Sequence, residues 1–192
     1  MFGIPAGFII GAVLIELALL RISAAGGLTR DVPALILTLI WAQTIYIVTV
    51  YLVWREKGRK PPVLFIIGVA LAFRCTVWPL TSPLSTDLYR YRWEGQVQHN
   101  GGNPYSERPG DPEWIGLRDS VWSEVGQKDV RAGYGPAWEL ISAGMYRLAA
   151  WMSPDPRQQV FWFKLPAALS DLGLLGVLWA TLRSRDLPTE LL

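Results

Sequence analysis

Apolar positions run along this chain in five long stretches, at residues 3–20, 33–54, 62–80, 136–152 and 160–182. The first is broken only by Glu16, the second carries no charge, and the third is interrupted by Arg74. The fourth, with Glu139 and Arg147, has the weakest pattern, and the fifth contains Lys164 and Asp171. About 20 apolar residues in a helix cross the roughly 30 Å of hydrocarbon in a bilayer. The pattern therefore predicts an all-α integral membrane protein, residues 1–192 forming one membrane domain of about five transmembrane helices. The first stretch has neither a basic leader nor a small-residue cleavage site before the next helix, so it reads as a retained helix.

Between the third and fourth stretches lies a long polar segment, residues 81–135. Pro83 and Ser85 or Thr86 make a helix start, with Asp87 in the first turn, where the helix dipole favours a carboxylate. Gly101-Gly102-Asn103-Pro104 is an equally clear stop. A second short helix is expected over residues 112–125, because Trp114, Leu117, Val121, Trp122 and Val125 form an apolar stripe. Such a helix suits the membrane interface, and it suits packing against the rest of the loop equally well. Pro136 fits the first turn of the next helix.

Composition agrees with a membrane chain: 51% of residues are hydrophobic and 18% charged, too little charge to cover a soluble domain. Of ten Trp, several stand at the ends of the apolar stretches (Trp54, Trp78, Trp138, Trp151), where amphipathic rings prefer the headgroup zone. The single cysteine, Cys75, and the single histidine, His99, supply no disulfide and no His- or Cys-rich metal centre. Basic residues are split among the links, which gives nucleic-acid binding no support. The densest block, Arg55-Glu56-Lys57-Gly58-Arg59-Lys60, belongs in the cytoplasm by the positive-inside rule. The polar segment is then external, in the periplasm or outside the cell, and Arg157 is cytoplasmic. With five spans, however, Arg183 and Arg185 emerge outside, against the rule.

The polar segment holds the most distinctive chemistry. Asp87, Arg90, Tyr91 and Glu94 fall at i, i+3, i+4 and i+7 and share one helix stripe, with Tyr89 and Trp93 on the other side. By spacing alone this is a solvated face with internal ion pairs or a site at the membrane surface. Among the intramembrane charges, Asp171 and Arg147 lie near mid-depth and read as structural pairs, and Lys164 snorkels to an edge. Arg74 and Glu139 lie close to the loop, where a site role and a structural role stand open.

The run Thr86-Asp87-Leu88-Tyr89-Arg90-Tyr91, then Trp93-Glu94-Gly95, then Gly102-Asn103-Pro104-Tyr105, resembles the first external loop of GT-C glycosyltransferases. It is most similar to bacterial mannosyltransferase-like proteins that use polyprenyl-phosphate sugars. Tyr134-Gly135-Pro136, and later Lys164-Leu165-Pro166 with Asp171-Leu172, resemble further elements of that group. The likeness covers about residues 73–182. Glu94 stands where the group often has Asp, and the group has about twice as many helices as this chain.

The resemblance implies inverting transfer of a hexose, mannose first among them, from a polyprenyl-phosphate donor to a glycan or lipid acceptor on the external face. It implies Asp87 as general base, Arg90 and Arg92 as donor-phosphate ligands, and Tyr91, Glu94, Asn103, Tyr105 and Tyr134 as substrate contacts. No cofactor is implied, and the carboxylates of Asp87 and Glu94 are too few to argue for a divalent ion. The shortness of the chain keeps two other readings open: a fragment, remnant or non-catalytic subunit whose helix bundle a partner completes, and a lipid-linked sugar transporter. A transporter would spread its polar chemistry over several helices, whereas here it is gathered in one loop.

Overall fold

A computed structural model describes residues 4–24, 31–56, 61–80 and 85–186. Pro83 of the expected helix start and Lys57, Gly58, Arg59 and Lys60 of the basic block lie outside the described residues. The protein is all-helical, with no strand among the described residues. It divides into two compact units, residues 85–171 and the remainder.

The membrane unit holds α1 (Ala6–Ala24), α2 (Val32–Arg55) and α3 (Val63–Val77). Asp31 caps α2 by accepting from the backbone N–H of Ala34 at 3.0 Å, and Pro33 occupies its first turn. α1 packs on both α2 and α3. Gly11 lets the first pair approach, since a Cβ there would lie 2.8 Å from the Cβ of Thr49. Glu16 of α1 is held by the hydroxyl of Thr76 in α3. Elsewhere these helices expose Ile10, Leu17, Ile36, Leu37, Trp41 and Leu64 outward, as side chains facing lipid would be.

The second unit contains α4 (Asp87–His99), α5 (Pro136–Met152), α6 (Pro156–Trp162) and the start of α7 (Leu165–Ser184). α4 begins and ends where the punctuation placed it: Thr86 precedes it, and Gly101 follows with φ +85°, a conformation glycine adopts without strain. Residues 112–125 differ from expectation. They form two short 3-10 turns, Pro112–Leu117 and Trp122–Glu124, rather than one helix. The backbone becomes extended at Arg118. Asp119 Oδ1 then accepts from the N–H of Val121, a local bond that competes with a helical ladder.

The apolar stripe of that segment packs inward, not against lipid. Trp93, Val97 and Val125 form a buried cluster covered by Tyr89, Trp114, Leu117 and Trp122. A second cluster, Met145, Ala149 and Phe163, binds α5 and the residue after α6 to Leu88 and Tyr91 of α4.

Among the described residues, three helical segments are long and apolar enough to cross a membrane: Ala6–Ala24, Val32–Arg55 and Pro156–Ser184. The last is broken at Phe163 and Lys164 into α6 and α7, where Pro166 lacks the N–H that would continue the ladder. α3 is a shorter apolar helix. α5 has the boundaries expected of a fourth span but turns a polar face inward, burying Glu139 and Ser142 alongside Met145 and Ala149.

Candidate functional site

α4 is the axis of the second unit, and its charged stripe points into the protein. Arg90 and Glu94 are almost fully buried, while Asp87 and Tyr91 are half-buried. The stripe is therefore not a solvated face, although the internal ion pair of that reading is present between Arg90 and Glu94. Arg90 Nε donates to Glu94 Oε1 at 2.5 Å, and its two terminal nitrogens donate to the carbonyls of Gln127 (2.8 Å) and Val130 (2.6 Å). One guanidinium thus ties α4 to a loop nearly 40 residues away. The Gln127 carbonyl also accepts from the Val130 N–H at 3.0 Å, closing a turn, and the planar fork of arginine can reach both carbonyls.

The loop closes one side of a cavity of about 170 Å³ lined by Asp87, Arg90, Glu94, Gln127, Arg131 and Tyr134. Asp87 enters it from the first turn of α4. Arg131, exposed on the loop, supplies a second cation. Tyr134 meets Tyr91 edge-on at 5.0 Å, and Tyr91 meets Trp138 at 4.9 Å. Burial, and donation of its hydroxyl to Tyr134, push the Tyr91 phenol far above the usual tyrosine range.

Behind Glu94 stands Glu139 of α5. Gln98 Nε2 donates to Glu139 Oε2 at 3.1 Å, but Glu139 Oε1 and Glu94 Oε2 have no donor to accept from. Burial raises the Glu139 carboxyl, and the facing Glu94 charge raises it further, to about 7. Glu94 is also raised, by burial, with Arg90 opposing the shift. Gly95 permits this approach of α4 and α5, because a Cβ there would run into the Ser142 carbonyl and lie 2.8 Å from the Tyr146 Cβ.

The structure thus brings Asp87, Arg90, Glu94 and Tyr134 together at one cavity, with Tyr91 stacked against it. It does not bring Arg92 there. Arg92 is buried elsewhere on α4, pairing with Asp119 at 2.7 Å and donating to Gln159 of α6 at 2.9 Å. Asn103 is a turn residue whose Oδ1 accepts from the N–H of Tyr105. Tyr105 donates its hydroxyl to the Tyr134 carbonyl at 2.8 Å, bracing the cavity wall from outside. Sequence reasoning missed Gln127, Val130 and Arg131, whose roles rest on backbone carbonyls and on chain return that spacing does not show. It named Glu139 without linking it to Glu94.

No group of three or more His, Cys, Asp or Glu side chains that could hold a metal ion occurs among the described residues. No family model matches the chain, and neither a curated protein nor a solved structure matches it.

Proposed function

We propose that this chain is a membrane hexosyltransferase of the GT-C kind, moving a sugar from a polyprenyl-phosphate donor to a glycan or lipid acceptor. The observation that carries the reading is that the carboxylate residue Asp87 lines a cavity also lined by Arg90 and Arg131. Transfer to an alcohol needs both groups. The acceptor hydroxyl oxygen attacks the anomeric carbon as Asp87 takes its proton. The bond from that carbon to the phosphate oxygen breaks, and the polyprenyl phosphate leaves with the electron pair. Its growing negative charge is met by arginine, whose fork matches phosphate oxygens. Attack opposite the leaving group inverts the anomeric centre.

The spans supply the lipid setting, and the charge pattern supplies a sidedness. We take α1, α2, α3 and α7 as the membrane crossings and α5 as part of the loop unit. With four crossings, Arg183 and Arg185 emerge on the same side as the Arg55–Lys60 block, while Arg157 moves into the long external segment, where the positive-inside rule has little hold. The loop unit is then external.

A second reading, a non-catalytic subunit that completes a larger transferase, is favoured by one observation. Arg90 and Glu94 are engaged with each other, and Arg90 also with the loop, as a purely structural clamp would be. The test incubates membranes containing the chain with labelled polyprenyl-phosphate mannose and glycan or lipid acceptors. Transfer by the wild type, reduced about 10²–10⁴-fold in Asp87→Asn, supports the enzyme. Absence of transfer favours the subunit, and undiminished transfer by Asp87→Asn removes Asp87 from the base role.

A further inference from the structure

We propose that Glu94 and Glu139 share a single proton across the α4–α5 contact, and that Glu139 is thereby a positioning residue for the cavity. Through that proton it holds Glu94, Glu94 holds Arg90, and Arg90 holds the loop at residues 127–130. This goes beyond the proposed transfer reaction and does not depend on it.

The geometry leaves few alternatives. Both carboxyls are almost fully buried, at 2% and 3% exposure. Each has one oxygen satisfied: Glu94 Oε1 by Arg90, and Glu139 Oε2 by Gln98. Each has one oxygen without a donor, Gln98 Nε2 bridges the Glu94 carbonyl at 3.3 Å and Glu139 Oε2 at 3.1 Å, and each carboxyl acts electrostatically on the other. Two carboxylate oxygens cannot hydrogen-bond without a proton between them. Leaving both bare would cost the desolvation of two buried acceptors.

Charge points the same way. The groups acting on Glu139 are Glu94 and Arg90 of α4. Asp87 and Tyr91 of α4 act on Glu94 or respond to it, and Glu107 and Arg108, after the α4 turn, border the small space beside Glu94 and Arg90. Tyr105 responds to both glutamates, and Tyr134 bonds Tyr91. Arg90 is in direct contact with Glu94, and Gln98 is neutral. One guanidinium, one carboxylate and one carboxylic acid sum to zero. Two carboxylates would leave an uncompensated buried charge, which interiors hold only at high cost. Burial raises both carboxyls, so the proton belongs to the pair.

The consequence is mechanical. When the pair loses its proton, the second negative charge repels the first and competes for Arg90. The two carbonyl bonds from Arg90 to Gln127 and Val130 weaken, and the wall that carries Arg131 loosens.

The test places a nitroxide spin label on Val130→Cys, an exposed position, in a Cys75→Ser background of the full chain in lipid nanodiscs. Label mobility is followed from about pH 5 to about pH 9, around the ordinary glutamate value and beyond. The wild-type label is expected to be immobile at low pH and to gain mobility through a midpoint near pH 7. Glu139→Gln, whose amide donates permanently, is expected to stay immobile throughout and lose the transition. Glu139→Ala, which carries neither the proton nor the charge, is expected to lose the pH transition as well. A wild-type label that does not respond to pH, or a Glu139→Gln protein that keeps the wild-type midpoint, would overturn the proposal. None of these readouts uses sugar transfer, so they stand or fall apart from the enzyme reading.

Discussion

Gly95 of α4 lies directly against the backbone carbonyl of Ser142 in α5, with no room for a methyl group between them. The contact sets how closely the two helices meet and therefore whether Glu94 can reach Glu139. Because the obstacle includes backbone, relief requires the helices to separate. Gly95→Ala is expected to destabilise the folded protein by about 1–3 kcal/mol, as overpacking does, despite the better helix propensity of alanine. Thermal unfolding in detergent measures this. A Gly95→Ala protein as stable as wild type would show that the interface yields freely.

Arg90 makes a different prediction, because its three bonds come from three nitrogens. Lysine keeps the charge but offers one compact ammonium, which cannot reach Glu94 and two carbonyls in the same plane. Arg90→Lys should therefore release residues 127–131 while leaving α4 in place. Lys128 and Arg131 flank that release point, so trypsin reports it directly. Cleavage there should be at least several-fold faster in the variant, following the population of the open loop. Equal rates would mean that the carbonyl bonds of Arg90 contribute little to holding the loop.

Stability should also depend on pH in a definite direction. In the folded chain the Glu139 carboxyl is raised to about 7 from its ordinary 4.5. Between those values the folded state binds more protons than the unfolded state. Stability from this group is full below about pH 4.5 and is lost as pH rises through about 7. Glu94, raised by burial, acts with the same sign. Wild-type melting temperature is thus expected to fall between pH 5 and pH 8 by this contribution. Glu139→Gln should flatten that part of the profile, and a Glu139→Gln profile parallel to wild type would refute the assignment.

How much of this was legible in the sequence depends on the range of the interaction. The ends of α4 were legible because Thr86, Asp87 and Gly101 act within a turn or two of chain. The shared stripe of Asp87, Arg90 and Glu94 was legible for the same reason, since helical spacing is local. Its direction was not. Arg90 is buried because the carbonyls of Gln127 and Val130 return to it from far along the chain, and hydropathy reads a charged stripe as outward. Residues 112–125 misled in the opposite way: Trp114, Leu117 and Trp122 have helical spacing, yet they cover Trp93 and Val97 from separate short turns. Arg90 and Arg92 are both phosphate candidates by their chemistry, but they lie on different helix faces. Two residues along a helix is a rotation of about 200°, which sends Arg92 to Asp119 and Gln159 instead.

The membrane arrangement gives the last prediction, because α5 decides it. α5 spans 17 residues, about 25 Å of helix at 1.5 Å per residue. Its inward face carries Glu139 and Ser142 and packs on α4, while Leu140 and Trp151 face outward. A helix that buries its polar side against its own unit and turns apolar residues outward is suited to lie at a lipid surface with that unit. If α5 does not cross, α7 starts on the external side and returns the chain to the cytoplasm. Ser184 should then share a compartment with Glu56, opposite Ser123. Single cysteines at Ser184, Glu56 and Ser123, each in a Cys75→Ser background, can be labelled with a membrane-impermeant maleimide in intact cells and in inverted vesicles. Ser123→Cys should label in the cells, and Ser184→Cys and Glu56→Cys only in the vesicles. Labelling of Ser184→Cys from the outside would restore α5 as a crossing and return Arg183 and Arg185 to the external face.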